Sequence, residues 1–180
     1  MENSSSSFYE PIKSLFIFIV IIWSVHFISF VFPLQQYGLV PRDLQGGLGI
    51  ITAPFLHGSF SHLALNTVGL LIFGIIFSLL ENKRTFVILI KIALIQGILT
   101  WLFAGGGTHI GASGIIFGLY GYLMLVGFFQ KKFKYIVISI FILFSYGGMI
   151  FGVLPGQPFV SWEGHLFGFI AGGIAAKFQS

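Results

Sequence analysis

Six apolar runs, each close to the length of a bilayer crossing, make up most of this chain and leave it few possible folds. A membrane-spanning helix needs about 20 mainly apolar residues. The runs fall near 12–32, 55–80, 85–104, 112–129, 133–151 and 161–178. Only 8% of the 180 residues are charged, against roughly a quarter in a soluble domain. Water could not solvate most of such an exterior, so the expected fold is an all-α membrane protein, a bundle of six transmembrane helices. Its 24 glycines suit that class, because glycine lets membrane helices approach closely. No internal repeat and no second domain are visible. The expectation is one membrane domain over 1–180, with 1–11 as a short cytoplasmic tail.

The basic residues set an orientation. Lys13, Lys83, Arg84, Lys131, Lys132, Lys134 and Lys177 flank the first run, occupy the second and fourth connections, and close the chain. The opposite side has only Arg42, next to Asp43. Lys91 falls inside the third run, where its stem can snorkel toward the basic side. The positive-inside rule then places both termini in the cytoplasm, and the expected location is a prokaryotic inner (cell) membrane. The net charge of +4 thus reads as a topology signal, and no clustered basic face suggests nucleic acid as a partner. The absence of cysteine excludes disulfides, thiolate metal sites and a cysteine nucleophile.

Three of the runs carry residues suited to chemistry. Gly111-Ala112-Ser113-Gly114 opens the fourth, where unpaired backbone N–H groups and the helix dipole favour developing negative charge. His62 and Asn66, spaced i,i+4, share one face of the second. His57 stands near the mouth of that run, and Gly164-His165 opens the sixth. Gly114 and Gly118 form one small-xxx-small face, and Gly168 and Gly172 another, so the fourth and sixth helices can pack nearly backbone to backbone. A neutral His165 within reach of the Ser113 hydroxyl would act as its general base. The Ser113 N–H, the Asn66 amide and His62 would stabilise an oxyanion. The acids are Glu2, Glu10, Asp43, Glu81 and Glu163. None is placed to orient a buried histidine, which favours a Ser–His dyad over a triad.

These residues resemble the rhomboid family of intramembrane serine proteases. The resemblance rests on Gly38-Leu39-Val40-Pro41-Arg42, on Thr52 through His62 followed by Asn66, on Gly111-Ala112-Ser113-Gly114 with Phe117 and Gly118, and on Gly164-His165 with Gly168. Leu48-Gly49 stands where the family often has Trp-Arg. The resemblance implies that Ser113 is the nucleophile and His165 the base. It also implies that Phe117 packs on His165 where many members carry tyrosine, and that His57 supports the site and water access. It makes the connection 152–160 a flexible cap, which Gly152, Pro155, Gly156 and Pro158 would keep irregular. The implied substrates are single-pass membrane proteins in the lipid bilayer, cut near a small residue in a locally unstable helix. No cofactor and no metal are implied.

Other classes fit less well. A Gly-x-Ser-Gly alone serves helix packing, and it is the joint order of Ser113, His165, His62 and Asn66 that argues for catalysis. A silent rhomboid-like protein that escorts membrane clients is the main alternative, although such relatives usually lack the serine or the histidine. A transporter would more often show repeats and paired mid-membrane charges. The chain has neither a His-Glu-x-x-His motif nor a second aspartate for an aspartyl dyad. His26, inside the first run, reads as a structural hydrogen-bonding residue, and His109 as a loop residue near the mouth.

Overall fold

The computed structural model describes residues 6–156 and 160–179. Six principal helices follow one another, and among the described residues there is no β-strand, only an isolated antiparallel bridge between Leu39 and His109. We label them α1 (Ser6–Ile28), α2 (60–81), α3 (Thr85–Phe103), α4 (Ser113–Gln130), α5 (Phe133–Tyr146) and α6 (Trp162–Lys177). Among the described residues, four stretches are long and apolar enough to cross a membrane: Tyr9–Ile28, Phe60–Phe103, Ser113–Gln130 and Phe133–Val153. The second of these contains both α2 and α3, joined by a tight turn at Asn82–Arg84 in which Asn82 has φ +48°. Helix α6 has 16 residues, about 24 Å at 1.5 Å per residue, so it is shorter than a full hydrocarbon crossing of ~30 Å.

Burial follows from which helices meet lipid. Helix α4 is central: Ile115, Ile116, Phe117, Leu119, Tyr120, Tyr122, Leu123 and Val126 are all buried. Helix α5 is peripheral and exposes Ile136, Val137, Ile140, Phe141, Leu143 and Phe144. Such a surface would aggregate in water, and it is what a lipid-facing helix requires. Since lipid tails are as apolar as leucine, close backbone contact and polar ties must hold the helices together. The Trp23 indole donates to Thr67 Oγ1 at 3.0 Å, tying α1 to α2. Ser139 accepts from Gly127 N at 2.9 Å and donates to the Leu123 carbonyl at 2.8 Å, tying α5 to α4. Gln130 Nε2 donates to the Ala176 carbonyl at 2.8 Å, tying α4 to α6.

The helix ends depart from the hydropathy limits in two places. Helix α1 begins at Ser6 and includes Pro11, although its apolar run starts near residue 12. Hydropathy marks where a helix enters lipid, whereas the helix itself continues beyond that point; residues 1–5 of the expected tail lie outside the described residues. Helix α2 begins at Phe60 because Ser59 caps it, accepting from His62 N at 3.1 Å. The preceding Ala53–Phe55, with Pro54 inside, is a separate 3₁₀ turn. Within α2, Leu70–Gly74 is π-helical.

The first connection is tied down throughout. Leu39 and His109 exchange backbone hydrogen bonds of 3.0 and 2.8 Å. Arg42, held at φ +59°, donates from Nη1 to the carbonyls of Leu102 (3.3 Å) and Ala104 (2.7 Å). These are among the carbonyls that a helix C-terminus leaves without partners. Trp101 Nε1 returns a bond of 2.9 Å to the Asp43 carbonyl. Gly97 admits the loop onto α3, since a Cβ there would fall 2.8 Å from Ile50 Cγ2.

Candidate active site

Helices α4 and α6 meet along glycine. A Cβ at Gly168 would strike the Gly114 carbonyl and lie 3.2 Å from Gly118 N, and one at Gly172 would strike the Gly118 carbonyl. These contacts are with backbone, which side-chain adjustment cannot relieve. The first turn of α4, where Ser113 sits, is therefore held directly against the first turns of α6, where His165 sits.

Ser113 is the first residue of α4, and its N-cap Ala112 offers no side-chain acceptor. Helices α2 and α6 differ, being capped by Ser59 and Ser161. The first-turn N–H groups of α4 thus remain free to bind an anion. Gly111, at φ +111°, makes the tight approach to Ser113 and donates its N–H to the Ala53 carbonyl at 2.9 Å.

His165 is 9% exposed and held on two sides. Its ring stacks on Phe117, with centroids 4.1 Å apart and planes 10° from parallel. Phe117 is one turn after Ser113, so the two share a face of α4 and the imidazole lies on that face. His165 Nδ1 is 3.0 Å from the Gly152 carbonyl. A carbonyl only accepts, so Nδ1 carries the proton and Nε2 of the neutral ring presents its lone pair. Gly152 must be small because a Cβ there would fall 2.6 Å from Phe117 Cζ. Among the described residues, no hydrogen bond joins Ser113 to His165.

The α2 residues approach from the other side. A Cβ at Gly111 would lie 2.6 Å from His62 Nε2 and 3.8 Å from Asn66 Oδ1, so both side chains stand against the backbone just before Ser113. Asn66 donates one Nδ2 proton to the His62 carbonyl at 2.8 Å and has a second in hand. His57 is fully buried, its ring edge-on to His62 at 5.1 Å. The His57 carbonyl accepts from His26 Nδ1 at 3.3 Å, which gives His26 a structural tie between α1 and the start of α2. A cavity of about 20 Å³ lies behind Ser113, lined by Gln96, Thr100, His109 and Ser161 among others. That is room for about one water molecule.

A rhomboid domain model matches residues 45–179. The chain belongs to the rhomboid family. It is 40% identical over 156 residues to uncharacterized proteins of Mycobacterium tuberculosis and Mycobacterium bovis, matches that cover 82% of this chain and 65% of each relative. It is 32% identical over 143 residues to RHOMBOID-like protein 4 of Arabidopsis thaliana, covering 74% of this chain and 36% of that one. The chain thus spans a little under two thirds of the length of the mycobacterial relatives. With several apolar helices and a rhomboid domain, it is an integral multi-pass membrane protein.

Three site features of this rhomboid were not visible in its sequence. The Gly152 carbonyl, which orients His165, is backbone and carries no residue signature. His109 belongs to a clasp: Nε2 lies 3.5 Å from the Gly105 carbonyl and Nδ1 lies 2.5 Å from Ser161 Oγ, which itself caps α6. Glu163 accepts from Gly105 N at 3.3 Å, holding the third connection to α6 rather than approaching His165. Of the expected cap, Gly152–Gly156 and Val160 are described and Pro158 lies outside the described residues.

Proposed function

We propose that this rhomboid is an intramembrane serine endopeptidase that hydrolyses peptide bonds in or near the transmembrane helices of single-pass membrane proteins. The observation that carries this reading is the 3.0 Å contact between His165 Nδ1 and the Gly152 carbonyl. The proton on Nδ1 is committed to the Gly152 carbonyl, so Nε2 is left as the base on the face of α4 that Ser113 begins. Ser113 attacks the substrate carbonyl and Nε2 takes the hydroxyl proton. The oxyanion accepts hydrogen bonds from Ser113 N–H, the free Asn66 proton and His62. The imidazolium then protonates the leaving amine, and an ester to Ser113 remains. His165 next removes a proton from water, supplied by the small polar cavity, as that water attacks the ester. The products are a new carboxylate and the restored serine. No acid is needed, because a carbonyl performs the orienting task that an aspartate performs in a triad. Apo hydrogen bonds at such sites are often long and tighten with substrate. Topologically, the basic connections and both termini face the cytoplasm, and 1–180 acts as one membrane domain.

The test uses purified protein in liposomes with a single-pass substrate whose helix contains glycine. Wild type should cut, while Ser113→Ala and His165→Ala should not. Undiminished cutting by Ser113→Ala would refute the nucleophile. No cutting by wild type, together with no labelling of Ser113 by a serine-directed covalent probe, would favour a silent rhomboid that binds membrane clients.

A further inference from the structure

At the end of the bundle remote from Ser113, a second cavity of about 320 Å³ lies between the start of α3 and the end of α6. Val87, Ile88, Lys91 and Ile95 recur at helical spacing along one face of α3, with Arg84 at its N-cap and Lys83 at the rim. Helix α6 contributes Ile174 and Ala175, and Phe178 and Gln179 follow it. Three cations therefore converge over an apolar floor. None is paired with a carboxylate among the described residues. Buried Glu81 accepts a hydrogen bond from Gln179 Nε2. The Gln179 amide also donates to Tyr135 Oη at 3.1 Å. Lys177 adds a fourth positive charge, its Nζ lying 5.4 Å from the centre of the Phe178 ring.

Lys91 is the informative member of this group. A charge within a spanning helix is costly and generally marks a site with a defined partner. Its position about two turns inside Arg84 grades the cavity from charged at the membrane surface to apolar within. Basic pockets between helices at that level suit anionic lipid headgroups.

We infer that this cavity binds one anionic phospholipid from the leaflet on the basic side of the membrane. The phosphate sits among Lys83, Arg84 and Lys91, and an acyl chain lies along Val87, Ile95 and Ile174. A soluble phosphate would satisfy the cations but leave the apolar floor uncovered. A zwitterionic lipid would cover the floor but bring its own cation against three others. Bound there, the lipid bridges α3 to α6 at the end opposite His165 and fills a gap that the protein leaves in its own packing.

The experiment is native mass spectrometry of the full chain, delipidated in detergent and titrated with dioleoylphosphatidylglycerol, dioleoylphosphatidylcholine or inorganic phosphate. Wild type should retain one phosphatidylglycerol in preference to phosphatidylcholine, with no competition from phosphate at equal concentration. Lys91→Gln and the pair Lys83→Gln with Arg84→Gln should weaken retention about fivefold for each cation removed. Lys91→Arg should preserve it. The pair Lys131→Gln with Lys132→Gln removes equal charge from the same end of the molecule and should change nothing. Equal loss in that control pair would overturn the site. So would equal retention of phosphatidylcholine, or displacement by inorganic phosphate.

Discussion

Replacing Gly168 by alanine tests the central geometric claim, that backbone contact between α4 and α6 places His165 against Ser113. The added methyl would overlap the Gly114 carbonyl and lie 3.0 Å from its carbon, where nothing flexible can yield. Relief requires the helices to part by roughly 1 Å, a misplacement that can cost about 10²-fold in rate. Overpacking of this kind costs ~1–3 kcal/mol in stability. The control is Gly173→Ala on the same helix, whose added Cβ would meet only the end of Leu125, at 3.0 Å from Cδ1. Thermal unfolding in detergent and cleavage of a single-pass substrate would be measured on both variants. The expectation is a loss of about 10²-fold in turnover for Gly168→Ala with the protein still folded, and near wild-type behaviour for Gly173→Ala. Equal turnover and stability in the two variants would refute the reasoning.

Four further outcomes are expected. Asn66→Ala should lower kcat by about 10²–10³-fold and leave KM nearly unchanged, because an oxyanion donor acts in the transition state; a change confined to KM would contradict that role. Phe117→Ala removes the ring stacked on His165; losing ~0.5–1.5 kcal/mol of aromatic contact should cut turnover up to about tenfold, whereas Phe117→Tyr should keep it. Gly152→Ala should act through the same stack, since its methyl would press on the Phe117 ring; a steady-state cleavage assay should show a loss at unchanged stability. Arg42→Gln should free the Leu102 and Ala104 carbonyls from a charged donor, costing ~1.5–3 kcal/mol, read as a lower unfolding temperature and faster proteolysis of the first connection.

Much of the architecture was legible because a bilayer imposes a length on every crossing. The limits read for α3, α4, α5 and α6 agree with the helices within one or two residues at most ends, the main exception being α5, which gives way to a 3₁₀ segment, Gly147–Val153. Hydropathy was blind to capping, so Ser59 set the start of α2 five residues beyond the apolar limit. The candidate site residues could be proposed because a glycine-flanked serine, two histidines and an asparagine follow one another in order across three runs. The group that selects the tautomer of His165 could not, because every residue has a carbonyl and only the fold decides which one arrives. Arg42 was legible as a charge but not as a helix cap, because its acceptors lie 60 and 62 positions away.

The Gly152 carbonyl belongs to the strand of chain that leaves α5, not to a helix of the central pair. On the proposed reading, a segment that moved aside to admit a substrate helix would include the same carbonyl that orients the imidazole. Displacing it would let the ring exchange its proton between nitrogens and turn on its axis. Under the proposed function, the position of this segment and the readiness of the base would become a single variable. An intramembrane protease of the proposed kind would gain restraint from that coupling, since only a substrate that let the segment settle back would meet a working base.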